Sequence, residues 1–286
     1  MKIVNTAILV LATTFAFGCD TSDGDADEPR AASWSIDGLE PLGGGYVYEG
    51  WLIIDGEPVS TGRFNVTAGD TATGSSDEIE GAGAATAFVL TVEPGEGDDP
   101  APSASKLMAA SLDGGEATLS IAHADALATD LTEALGQYII ETPTSMPADD
   151  YDLGIWFVDA DNGTPTLDLP ELPEGWQYEG WLVTEDGPLS TGRFDGGSGA
   201  DSDGAGPDAG PLGFPPFPGQ DFIEPPMSVV GTSVVVSVEP EPDDSDAPFV
   251  LKPLVAASVE DVPEHGLQSM ENNATATNPT GTVRLE

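Results

Sequence analysis

Positive charge is scarce in this sequence: seven Lys and Arg stand against 51 Asp and Glu, a formal net charge of −44. Such a chain repels phosphate backbones and anionic headgroups, which excludes nucleic acid as a partner and electrostatic adsorption as a route to a membrane. Cysteine is nearly absent. Cys19 is the only one, so there is neither an intrachain disulfide nor a thiolate cluster for a metal. Two histidines, His123 and His265, are too few to nominate a metal centre without partners that sequence cannot display. No glycine loop for phosphate and no serine elbow with a histidine is present. Paired carboxylates could serve glycoside hydrolysis, but among so many acids a close pair arises by chance. The expectation is a protein with no catalytic residues, no metal and no cofactor.

What is present begins with "MKIVNTAILVLATTFAFGC". One lysine, an uncharged apolar run and small Gly18 read as a secretion signal over residues 1–18, too short to span a bilayer. "AFGC" resembles the processing box of bacterial lipoproteins, although Ala16 and Phe17 stand where that box usually carries a leucine and a smaller residue. The resemblance implies that Cys19 becomes the lipidated first residue, with several acyl chains giving firm anchorage; a plain signal peptide with an incidental cysteine is the alternative. Residues 19–32, "CDTSDGDADEPRAA", are acidic and small, the composition of a disordered tether. The acidity fits either a saline habitat, where screening relieves self-repulsion, or cation binding. Its scatter along the chain favours the first.

Beyond the tether the chain repeats itself. "YEGWLIIDGEPVSTGRF" from Tyr48 is answered by "YEGWLVTEDGPLSTGRF" from Tyr178, 130 residues on. "FVLTVEP" and "KLMAAS" are answered by "VVVSVEP" and "KPLVAAS" at an offset of 146, which leaves 16 surplus residues in the second copy. "GQYIIE" from Gly136 is answered by "GTVRLE" from Gly281. Each matched segment reads as a strand, bounded by Asp-Gly, Gly or Pro. The fold class expected is all-β: two tandem β-sandwich units with separate cores, residues 33–141 and 142–286. "HADALATDLTEALG" alone has helical spacing, with Leu127, Leu131, Ala134 and Leu135 on one face and Gly136 as its stop.

These motifs carry a resemblance. "YEGWLI", "GEPVSTGRF" and "FVLTVEP", in that order, are similar to the extracytoplasmic C-terminal domain of anti-sigma-K factors, and the second unit follows the same pattern. The resemblance implies a β-sandwich in each copy and an interaction or sensing role at the cell envelope. Members of that family place a sigma-binding segment and a membrane-spanning helix ahead of the domain, and neither is expected here. The partner implied is an unknown envelope protein or ligand, with the membrane reached only through a lipid anchor. A carbohydrate- or ligand-binding surface lipoprotein is the rival reading.

Four cations are duplicated: Arg63 with Arg193, and Lys106 with Lys252. Their expected partners are duplicated acids, Glu49 with Glu179 or Glu93 with Glu239, in ion pairs that hold strand register. Trp51 and Trp181 are core residues or sugar-stacking faces. "DADNG" at Asp159 to Gly163 reads as a hairpin turn and lacks the alternating ligands of a calcium loop. The loop 195–227 of the second unit, rich in Gly, Asp and Pro, offers Phe214, Phe217 and Phe222 as structural cover or as a recognition surface.

Overall fold

The computed structural model describes residues 28–43, 45–97, 99–145, 151–242, 245–263 and 265–286. Cys19, the signal 1–18 and the tether up to residue 27 lie outside the described residues; the last residues of the expected disordered tether are instead paired, Arg30 with Ile79 and Ala32 as the buried start of β1. The first half carries β1 (Ala32–Asp37), β2 (Tyr46–Ile54), β3 (Glu57–Phe64), β4 (Ala72–Ser75), β5 (Ala85–Pro94), β6 (Lys106–Ser111) and β7 (Glu116–Leu119). A crossover then leads to β8 (Leu135–Ile140). The second half carries β9 (Gly154–Trp156), the small strands β10 (Val158–Asp159), β11 (Thr164–Pro165) and β12 (Leu167–Asp168), then β13 (Trp176–Thr184), β14 (Gly187–Phe194) and β15 (Gly219–Asp221). It continues through β16 (Ser233–Pro240), β17 (Leu254–Ala256), β18 (Gln268–Ser269), β19 (Glu271–Asn272), the single helical turn α1 (Ala274–Thr277) and β20 (Thr280–Leu285).

The repeated sentence builds the same antiparallel sheet twice, in the orders β3-β2-β5-β6 and β14-β13-β16-β17-β19. Its glycines have separate reasons. Gly62 and Gly192 sit at positive φ, 110° and 97°, where a side chain is strained. A Cβ at Gly50 would collide with Thr61 Oγ1, and one at Gly180 with Thr191 Oγ1. Tyr48 and Tyr178 point inward and donate their hydroxyls to Glu40 O at 2.8 Å and Pro170 O at 2.7 Å. Burial pushes both phenols well above the ordinary tyrosine value, with the Glu40 carboxylate adding to the effect at Tyr48.

A second sheet faces each of these, and here the two halves exchange strands. The order β4-β1-β20-β7 places β20, from the far end of the chain, between two strands of the first half. Reciprocally, β8 leaves the first half and pairs with β9, β12 and β18 of the second. The expected division into 33–141 and 142–286 therefore cuts through both sandwiches: the sequence equivalents β8 and β20 each complete the other half.

Exchange also merges the cores. Trp34 and Ile36 of β1, Val283 and Leu285 of β20, Tyr138 and Ile140 of β8, and Phe157, Tyr178 and Val236 of the second half belong to one continuous buried cluster. Separate cores were expected, but each borrowed strand carries its own inward side chains into the neighbouring sandwich. Between the halves, Ser105 Oγ donates to Gly175 O at 3.0 Å. Lys252 Nζ meets Glu40 Oε2 at 3.1 Å.

The crossover before β8 is not the helix expected from its spacing. It is a series of turns with Ala128 and Leu131 at φ 62° and 61°, values that no α-helix contains. Leu127, Leu131 and Ala134 are buried while Leu135 is exposed, so one apolar face does not exist. The freed carbonyls are satisfied from the other crossover. Asn272 Nδ2 donates to Leu131 O and Ala134 O, and Asn278 Nδ2 to Asp130 O.

Candidate functional site

The polar residues kept in both halves form two copies of one buried network. In the first, Arg63 Nε lies 2.6 Å from Glu49 Oε2, and Ser60 Oγ donates to Glu49 Oε1 at 2.5 Å. Trp51 Nε1 donates to Thr91 Oγ1 at 2.9 Å, and that hydroxyl donates to Glu93 Oε1 at 2.5 Å. In the second, Arg193 Nε lies 3.2 Å from Glu179 Oε2, and Ser190 Oγ donates to Glu179. Trp181 Nε1 donates to Ser237 Oγ at 2.7 Å, and Ser237 donates to Glu239. Glu93 and Glu239 also accept backbone N–H groups, from Ser103 and Phe249, each at 2.8 Å.

The lysines depart from the expected pattern. Lys252 pairs with Glu40 across the halves, while Lys106 is half-buried and makes no ion pair among the described residues. Their duplication places them at equivalent strand starts, where flanking loops of different sequence offer different partners. All five indoles, Trp34, Trp51, Trp156, Trp176 and Trp181, are buried. A ring so covered has no face to offer a sugar.

The second half differs from the first in its surplus loop, and the difference reaches the sheet beneath. The outer faces of β1 and β20 carry Ser33, Ser35, Thr282 and Arg284, none of them buried. The equivalent outer face of β8, β9 and β10 carries Ile139, Trp156 and Val158, buried together with Ala205 and packed against Ala209 and Phe217 of the loop. Phe214 stacks on Trp156 with ring centroids 6.2 Å apart. The signal was in the sequence: "SWSID" alternates, as a strand with one wet face must, whereas "GIWFV" is continuously apolar, as a strand covered on both faces must be.

The loop is stitched down by buried polar groups. Asp221 is fully buried and accepts from Trp156 Nε1 at 2.8 Å, from Thr144 N at 2.9 Å and from the Thr144 hydroxyl. Burial raises its carboxyl above the ordinary value against the lowering effect of these bonds. Asp201 accepts from Gly219 N at 2.8 Å and lies beside Asp203; burial first, and the neighbouring carboxylate second, push it up to about 7. Of the three phenylalanines singled out above, Phe222 is a core residue, Phe217 is half-buried against the sheet and Phe214 remains exposed. Phe222 is thus no recognition residue: it follows β15 directly, and that strand's pairing turns its ring inward.

One rim of this loop walls an open cleft of about 800 Å³ on the outer face of the second hairpin sheet. Trp181, Leu189, Arg193, Ser202, Asp203, Glu241 and Asp246 are among the residues that line it. Leu189 is 40% exposed, and Arg193 Nη1 lies 3.6 Å from Glu241 Oε2.

His123 Nε2 lies 2.9 Å from Ser111 Oγ, and Nδ1 accepts from Asp125 N at 3.1 Å. That bond leaves the neutral ring's proton on Nε2, so His123 donates to Ser111 and is not oriented to take its proton. Among the described residues no group of three or more His, Cys, Asp or Glu gathers to hold a metal ion. Asp159 and Thr164 pair as a hairpin around "DADNG". No helix among the described residues is long and apolar enough to cross a membrane.

The geometry defines a class: a doubled β-sandwich, all-β and joined by exchanged strands, with one half elaborated by an ordered loop. Residues 24–108 match the family model for the C-terminal domain of anti-sigma-K factor rskA, the family that the first copy's motifs resemble. No curated protein and no solved structure matches the chain.

Proposed function

We propose that this protein is an extracytoplasmic, lipid-anchored and non-catalytic interaction or sensing module, related to the C-terminal domains of anti-sigma-K factors. The observation that carries the reading is the match of residues 24–108 to that family. The structure supplies a surface for it. The polar side chains shared by both halves are engaged in holding strands together, so what supports recognition is the part the halves do not share, the loop residues Ser202 and Asp203 that line the cleft beside Leu189. Anchorage through Cys19 would present this cleft on the outer side of the membrane at the end of an acidic tether.

A photo-crosslinking residue at Leu189, compared with one at Thr118, exposed on β7 of the first half, tests the reading in intact cells. Capture of one discrete envelope protein from position 189 alone is the expected result. Equal labelling from both positions, or none from 189, would overturn it. Labelling with a fatty-acid probe that is lost in Cys19→Ser tests the anchor separately.

A further inference from the structure

The surplus loop of the second half meets the outer edge of β14 through one short segment, residues 200–203. Ser202 N donates to Arg193 O at 2.9 Å, and Ser202 Oγ accepts from Arg193 N at 3.0 Å. The carboxyl groups of Asp201 and Asp203 lie against Gly192, where a Cβ would collide with both. A Cβ at the equivalent Gly62 meets nothing within 4 Å, so the arrangement belongs to the second half alone. Asp201 Oδ2 accepts from Gly219 N at 2.8 Å, but its Oδ1 is buried with no donor among the described residues. The side chain within its reach is that of Asp203, which is exposed. Two ionised carboxylates have no proton to join them. One proton held on Asp201 supplies the missing donor, as Oδ1–H to Asp203.

The segment is also built to move. Gly199 and Gly204, at φ 90° and 74°, flank it, and glycine takes such angles without strain. Beyond Gly204 the loop is held separately, by Ala205 and Phe217 against Trp156 and Val158. We propose that residues 200–203 are a proton-operated latch on the cleft beside Leu189. With Asp201 protonated the segment stays on β14, and Ser202 and Asp203 line the cleft; with Asp201 ionised it lifts between its two glycines and the cleft widens. As the regulation of a recognition cleft the latch rests on the reading above, whereas the movement itself does not.

The other charged groups around the pair are engaged elsewhere or carry the same sign. On β14, Arg193 turns to Glu179 and Glu241; on β15, Asp221 turns to Trp156 and Thr144. Asp195 of the loop accepts from Gln177 at 3.3 Å, and Glu241 and Asp246 line the same cleft. Burial first, and Asp203 after it, hold the Asp201 carboxyl at about 7, and opening returns it to water and towards its ordinary 3.8. By linkage the closed segment binds the proton more tightly, so the opening constant rises by about tenfold per pH unit between about 4 and 7 and levels off above.

Hydrogen exchange of the full chain between pH 5 and 8, expressed as protection factors so that intrinsic exchange is divided out, tests the latch without any partner. Protection of the Ser202 amide is expected to fall at least about tenfold between pH 5 and 7 and then level off. Val236 in β16 should stay at least about tenfold better protected at every pH, which marks the opening as local. Asp201→Asn, whose amide donates to Asp203 at any pH, should keep the acid-level protection throughout. Asp203→Asn, which offers Asp201 a donor, should reduce the fall. Constant protection in the parent, an undiminished fall in Asp201→Asn, or equal protection of Ser202 and Val236 would each overturn the proposal. Failure of the latch leaves capture from Leu189 standing, and failure of capture leaves the exchange profile standing.

Discussion

Trp34 and Val283 stand directly opposite one another on adjacent antiparallel strands, one in the first strand of the fold and one in the last. Both are buried in the shared core. A chain closed in this way melts as one body. Calorimetry of the full chain should give a single transition whose van't Hoff and calorimetric enthalpies agree. Two resolved transitions would contradict the merged core. Removing residues 279–286 strips Val283 and Leu285 from it and leaves β1 and β7 with unpaired edges. At roughly 2–3 kcal/mol for each buried aliphatic side chain, the melting temperature should fall by more than about 10 °C.

Arg193 and Glu179 are unequally covered, with side chains 26% and 5% exposed. Arg193→Ala therefore leaves a covered carboxylate without its cation, a loss of about 1–3 kcal/mol, read as a fall of about 3–8 °C in melting temperature. Adding Glu179→Gln should recover part of the loss, because the neutral amide still accepts from Ser190. Arg63→Ala should behave alike in the first half. A double-mutant cycle with no coupling would remove the ion pair from the account.

The hydroxyls of Thr61 and Thr191 are buried with no hydrogen-bond partner among the described residues. Valine has nearly the same shape and no hydroxyl to desolvate. Thr61→Val and Thr191→Val should leave denaturation midpoints unchanged or raise them, by up to about 1 kcal/mol. A clear loss would reveal a bond these hydroxyls make.

Asp201, raised from its ordinary 3.8 to about 7 by burial and then by Asp203, binds its proton more tightly folded than unfolded. The sign follows by linkage: its contribution to stability is complete below about pH 4 and is lost as pH rises through about 7. Asp221 is shifted in the same direction. Asp201→Asn should flatten the fall in stability between those values and be at least as stable as the parent at pH 8. An unaltered pH profile in the variant would show that Asp201 does not titrate in this window.

Five buried indoles should emit at short wavelength and resist quenching by acrylamide, a neutral agent that the acidic surface does not repel. Ready quenching would return the tryptophans to the list of exposed recognition residues.

Much of the local structure was legible in the sequence. "DGEP" and "EDGP" announced tight hairpins, "TVEP" and "SVEP" announced strands closed by proline, and the duplicated Glu and Arg marked side chains that meet across one pair of strands. The helix was misread because Leu127, Leu131 and Ala134 repeat at helical spacing for another reason. Each is buried separately as the crossover bends from one half to the other. The loop residues were only half readable, since prolines near Phe214 and Phe222 state that a backbone is restrained and not which ring it turns inward.

By itself the sequence determined the strands, their turns and the fact of duplication, because period-two patterning, glycine at strained φ and proline at strand ends act over a few residues. Which half each final strand completes was decided only in three dimensions. "GQYIIE" and "GTVRLE" match in their inward residues and differ on the outer face, Ile139 against Arg284, which suits the covered and the wet sheet respectively but does not by itself bring either strand to β9 or β1. The choice rests on where the crossovers at 120–134 and 270–279 deliver them, and on the asparagines that bind one crossover to the other.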